Sequence, residues 1–69
     1  MIFVQINGEP REIPEGMNVR TLLEHLGIDT QRVAVELDRN IVRKPDWEGT
    51  TILQDSKLEI VMFVGGGAR

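Results

Sequence analysis

Apolar residues at the start of the chain fall on alternate positions, with Ile2, Val4 and Ile6 on one side and Phe3 and Gln5 on the other. A period of two is that of a β-strand with one buried face. Asn7-Gly8 follows, and both residue types tolerate positive φ, so a tight hairpin is predicted there. The return strand falls at about Arg11 to Ile13, bounded by Pro10 and Pro14. Proline donates no ladder hydrogen bond, which assigns this strand to a sheet edge. After Glu15-Gly16 the period changes. Val19, Leu22, Leu23 and Leu26 form one stripe of an amphipathic helix, with Asn18 as its N-cap and Gly27 just beyond its end. So short a helix is stable only with its stripe laid on a sheet.

Alternation returns at Val33, Val35 and Leu37, which predicts a third strand. Asp38-Arg39-Asn40 turns the chain into a short strand at Ile41-Val42, and Lys44-Pro45-Asp46-Trp47 reads as an irregular turn whose Trp47 plugs one end of the core. A turn at Gln54-Asp55-Ser56 leads into a last strand from Lys57 to Val64. Its alternation assigns Leu58, Ile60 and Met62 to the core, together with Leu22, Leu23 and Leu26, and directs Glu59, Val61 and Phe63 away from it. One helix over one face of a mixed sheet of four to five strands is an α+β arrangement. The first and last strands are the most apolar and are expected to be central neighbours. At 64–65 the chain changes character, which divides it into a folded unit, 1–64, and a glycine-rich tail, 65–69, expected to be flexible.

Composition narrows the chemistry. A chain of 69 residues has room for one core, and 41% apolar residues suffice to form it. With no cysteine, disulfides, thiolate metal sites and catalytic thiols are excluded, and a single histidine, His25, builds no conventional metal cage. A net charge of −3 with scattered basic residues argues against nucleic acid. No apolar run approaches the length of a membrane span, and the first residues lack the pattern of a secretory signal, so a cytoplasmic protein is expected.

Catalytic constellations are not found. His25 reads as a solvated residue of a helix surface and Ser56 as a turn residue, with nothing in the pattern to bring them together. Glu9, Glu12 and Glu15 read as ordinary charge protecting an edge strand. The tail is different. Gly65, Gly66 and Gly67 follow an apolar strand, and a run without Cβ atoms can thread a channel too narrow for other residues. Extended at roughly 3.3 Å per residue, residues 65–69 reach about 17 Å. Such an arm could carry a terminal carboxylate into another protein's active site. Activation there as an acyl-adenylate, then displacement of AMP by sulfide or a persulfide, would leave a thiocarboxylate, a sulfur donor that needs no thiol. A frayed end is the alternative. Phe3, Val61 and Phe63, all directed away from the helix, are expected to form an apolar docking patch beside the tail's root, unless a loop covers them.

Several segments together resemble one family. Ile2-Phe3-Val4-Gln5-Ile6-Asn7-Gly8-Glu9, Val19-Arg20-Thr21-Leu22-Leu23, Val33-Ala34-Val35-Glu36-Leu37 and Ile41-Val42-Arg43 with the nearby Trp47 are similar to the ThiS sulfur carriers of thiamine biosynthesis. The closing Leu58-Glu59-Ile60-Val61-Met62-Phe63-Val64-Gly65-Gly66-Gly67 is the most specific piece. The resemblance implies a ubiquitin-like β-grasp fold and no enzymatic activity of the carrier's own. It implies a ThiF-like adenylyltransferase that consumes ATP at the C-terminal glycine and a ThiG-like thiazole synthase that receives the sulfur. No cofactor is expected on the carrier. By motif, Gly67 bears the reactive carboxylate. Ala68 and Arg69 depart from the family's usual ending, and a peptidase is expected to remove them unless they are foreign to the natural chain. The alternatives are a carrier for molybdopterin or tRNA thiolation, which share the fold and ending, and a ubiquitin-like modifier joined to lysines.

Overall fold

The computed structural model describes residues 1–63. Strand β1 (Ile2–Ile6) and strand β2 (Glu9–Ile13) form an antiparallel hairpin, helix α1 (Val19–His25) follows, and strands β3 (Val33–Leu37), β4 (Asn40–Val42) and β5 (Lys57–Met62) complete one sheet. The spatial order is β2-β1-β5-β3-β4. β1 and β5 are central neighbours, as their apolar content led one to expect; they run parallel, and the other pairings are antiparallel. The proline-bearing β2 is an edge, with Pro10 opposite Gln5.

Local sequence accounts for these elements. Asn7 and Gly8 take φ of 53° and 82°, the left-handed values a two-residue hairpin turn requires. At the helix start, Asn18 Oδ1 accepts from Thr21 N–H at 2.8 Å and Thr21 Oγ1 accepts from Asn18 N–H at 2.9 Å, a reciprocal capping box. At its end Gly27 has φ of 73°, its N–H donates to Glu24 O, and Ile28 N–H donates to Leu23 O. That pair of bonds closes the helix in a Schellman motif.

The core lies between α1 and the inner face of the sheet. Ile2, Val4 and Ile6 meet Leu22, Leu23, Val35, Leu58 and Ile60 there. Trp47 and Ile52, from the long connection between β4 and β5, close one end. Trp47 is 2% exposed, follows a 3₁₀ turn at Lys44–Asp46, and donates its indole N–H to Val42 O at 2.9 Å. Arg20 and Lys44 lie over its ring, 5.6 and 5.8 Å from the centroid.

Two core assignments from the alternation need correction. Leu26 is the helix C-cap and only half-buried, and Met62 is 56% exposed. α1 ends before β5 does, so the last inward-facing position of β5 has no helix above it. Met62 instead lines a shallow cleft with Leu26, Ile28, Ile6 and Ile60.

Asn7 does more than turn the chain. Its Oδ1 accepts from Ile60 N–H at 2.7 Å and its Nδ2 donates to Ile60 O at 3.1 Å. Its side-chain amide thus continues the β1–β5 ladder after β1 has turned away, and it fixes the half of β5 that leads to the tail. Asn7→Asp keeps the acceptor but faces an oxygen toward the Ile60 carbonyl. It should cost about 1–3 kcal/mol in urea unfolding. An unchanged midpoint would show that the clamp contributes nothing in solution.

Candidate carrier site and docking surface

The site is defined by where β5 delivers the chain. β5 is the central strand, held by β1 on one side and by β3 on the other, with Val33 opposite Met62 and Ala34 opposite Val61. Phe63 N–H donates to Arg32 O at 2.8 Å, one bond past the strand's end. The backbone is therefore tied to its neighbour up to the last described residue. The reactive tail expected at Gly65, Gly66 and Gly67 lies outside the described residues.

All three residues expected to form the docking patch are exposed: Phe3 56%, Val61 55% and Phe63 59%. They do not form one patch. The parallel register pairs Gln5 with Lys57, which sets Phe3 level with Asp55, and Asp55 N–H donates to Phe3 O at 2.7 Å. Val61 lies six positions further along, about 20 Å at roughly 3.3 Å per residue. Phe3 belongs to the opposite end of the sheet, where its N–H donates to Gln54 Oε1. The surface at the root of the tail consists of Val61 and Phe63 on the outer face, with Met62 on the helix side. Ile41, 71% exposed and opposite Glu36 on β4, extends the outer face toward the far edge. Sequence reasoning missed Ile41 and Met62, although the alternation Ile41-Arg43 against Val42 carried the signal for the first.

His25 is exposed in the last turn of α1. Ser56 is buried, and its Oγ accepts from Leu53 N–H at 3.1 Å, which closes the turn into β5. Among the described residues no group of three or more His, Asp or Glu side chains is placed to hold a metal, and no helix is long and apolar enough to cross a membrane.

The ThiS family model matches residues 4–67, which takes in the last three residues of β1, every other strand, the helix and the three glycines. The chain belongs to the ThiS family. Among solved structures, the ThiS thiamine biosynthesis protein from Geobacter metallireducens superposes with a TM-score of 0.84 at 29% identity, covering 96% of this chain and all of that one. The five-stranded sheet with one helix is thus the ubiquitin-like β-grasp of ThiS proteins. An uncharacterized protein, ycf40, of Porphyra purpurea is 35% identical over 96% of this chain and 93% of its own length. A thiazole synthase of Paramagnetospirillum magneticum is 44% identical over 63 residues, and this ThiS-family chain spans only 19% of that protein. A second thiazole synthase, from Magnetococcus marinus, is matched over 20% of its length. Both proteins named thiazole synthase thus contain a stretch similar to this chain.

Proposed function

We propose that this ThiS-family sulfur carrier holds sulfur as a thiocarboxylate on Gly67 and donates it to a thiazole synthase. The observation that carries the reading is the family match, which runs through Gly65, Gly66 and Gly67 on a chain without cysteine. In the proposed sequence a ThiF-like adenylyltransferase transfers AMP from ATP to the Gly67 carboxylate and releases pyrophosphate. Sulfide, or a persulfide with a reductant, then displaces AMP and leaves the thiocarboxylate. The chain supplies the carboxylate and a docking surface, and the partner supplies the nucleotide and its metal. ATP is the partner's substrate, and the carrier itself binds no cofactor. A peptidase first removes Ala68 and Arg69, since the Arg69 side chain does not suit a channel sized for glycine. The two thiazole synthase relatives favour thiazole formation over molybdopterin synthesis, tRNA thiolation or conjugation to lysines.

The test is incubation of a chain ending at Gly67 with ATP, a sulfide source and a ThiF-like adenylyltransferase, read by intact mass. Gain of the mass difference between sulfur and oxygen is expected. Conjugates of higher mass, or no change with a nucleotide-competent partner, would defeat the proposal.

Docking by the root of the tail makes a separate prediction. Phe63→Asp should weaken binding of the adenylyltransferase by about tenfold or more, because an apolar anchor is replaced by a charge to be desolvated. Stability should move by no more than about 0.5 kcal/mol, since Phe63 is 59% exposed. A large loss of stability with unchanged binding would assign Phe63 to the fold instead.

A further inference from the structure

Asn7-Gly8 combines a reactive sequence with a restraint upon it. The chain holds three asparagines, and two of them, Asn18 and Asn40, precede the β-branched Val19 and Ile41. A β-branched side chain screens the nitrogen of its own residue, whereas Gly8 has no Cβ and open space where one would stand. Of the three, Asn7 therefore has the side-chain carbon most open to attack by the next peptide nitrogen. The folded chain opposes that attack. Three hydrogen bonds hold Asn7 on β5: its N–H donates to Leu58 O at 2.9 Å, its Oδ1 accepts from Ile60 N–H at 2.7 Å, and its Nδ2 donates to Ile60 O at 3.1 Å. The turn adds to this restraint. A φ of 53° puts Asn7 in the left-handed region, where Cβ stands away from the Gly8 nitrogen.

We infer that Asn7-Gly8 is a self-modification site, a deamidation centre held closed by β5 and able to release β5 once it has reacted. The Gly8 nitrogen loses its proton to base and bonds to Asn7 Cγ. The Cγ–Nδ2 bond breaks, and Nδ2 takes up a proton and leaves as ammonia, so that a five-membered succinimide remains. Water opens this ring. Cleavage of the nitrogen–Cγ bond gives aspartate. Cleavage between the nitrogen and the Asn7 carbonyl carbon gives isoaspartate, with the main chain rerouted through Cβ and Cγ. Asn7 and Gly8 are both exposed, so water reaches them. Neither product has the donor that met Ile60 O, and isoaspartate also lengthens the main chain at the turn. The clamp cannot re-form, and the half of β5 that leads to the tail is freed irreversibly. The reaction needs no sulfur and no adenylyltransferase, so it stands apart from the carrier reading.

The full-length chain is held in mildly alkaline buffer, folded and in urea above its unfolding midpoint, and the tryptic peptide 1–11 is followed by chromatography and mass. Unfolded chains are expected to turn Asn7 into a pair of aspartyl and isoaspartyl products while Asn18 and Asn40 persist. Folded chains are expected to do so about tenfold or more slowly, since the bonds to Ile60 must open before the attack. Equal rates in the two states overturn the restraint, and equal loss at Asn18 or Asn40 overturns the site. The deamidated chain is then returned to native buffer and its amide hydrogen exchange compared with the parent's. Ile60 N–H should exchange about tenfold or more faster. Gln5 N–H, which donates to Ser56 O at 2.9 Å at the other end of the β1–β5 pair, should keep its protection. Unchanged exchange at Ile60, or an equal loss at Gln5, overturns the release of β5.

Discussion

A chain ending at Gly65 is expected to form no thiocarboxylate under conditions that convert a chain ending at Gly67, and to unfold at the same urea concentration. The first half follows from reach. Removing two residues shortens an extended arm by about 7 Å. Displacement of a reacting atom by as little as about 1 Å can cost a hundredfold in rate, so a carboxylate several times further from the partner's nucleotide is out of range. The loss should therefore be complete rather than graded. The second half follows from the core, whose buried members among the described residues run from Ile2 to Ile60. Intact mass after incubation with ATP and adenylyltransferase reads the first, and urea denaturation reads the second. A truncated chain that still gains sulfur would mean that the carboxylate is not delivered by length. One that unfolds more readily would mean that the glycines contribute to the body of the protein.

The same contrast shows how far the sequence could be read. Alternation places Ile2, Val4, Ile6, Leu58 and Ile60 inside because a strand's side chains have only two directions, and the structure buries them all. Asn18 and Gly27 mark the helix ends because capping is local chemistry, complete within three or four residues. Alternation says which face a residue takes but not how far along a neighbouring strand it lies. For β1 and β5 that depends on a parallel register set by the long connection between them. Phe3 was therefore assigned the correct face and the wrong neighbours. Met62 fails for a related reason, since its burial depends on whether α1 extends as far as β5, and the lengths of the two elements do not reveal that separately. Asn7's clamp on Ile60 joins residues 53 positions apart and leaves no trace in local pattern beyond the turn it also makes. The glycines are legible as a motif, and the role proposed for them rests on chemistry and family likeness.

Trp47→Ala should be the most damaging single substitution in the folded body. Truncating a buried Trp costs about 3–5 kcal/mol through lost transfer energy and the cavity left behind. Trp47 is 2% exposed, so nearly all of its side chain would be missed. It also donates to Val42 O, and Arg20 and Lys44 rest on its ring. The Arg20 Nε lies 3.3 Å from Glu48 Oε2 without hydrogen-bond alignment, and Glu48 is well exposed, so that ion pair offers little compensation. At roughly 0.05–0.15 kcal/mol per residue, a domain of this size has only about 3–10 kcal/mol in total. The substitution is therefore expected to leave a substantial fraction unfolded at room temperature. Urea denaturation followed by far-ultraviolet circular dichroism measures the loss, since the substitution removes the fluorophore. Trp47→Phe separates the contributions: it keeps most of the volume, loses the bond to Val42, and should cost distinctly less than the alanine variant. Should Trp47→Ala cost under about 1 kcal/mol, the connection carrying Trp47 would not be closing the core, and the end of the molecule it covers would have to be held by Ile52 and its neighbours alone.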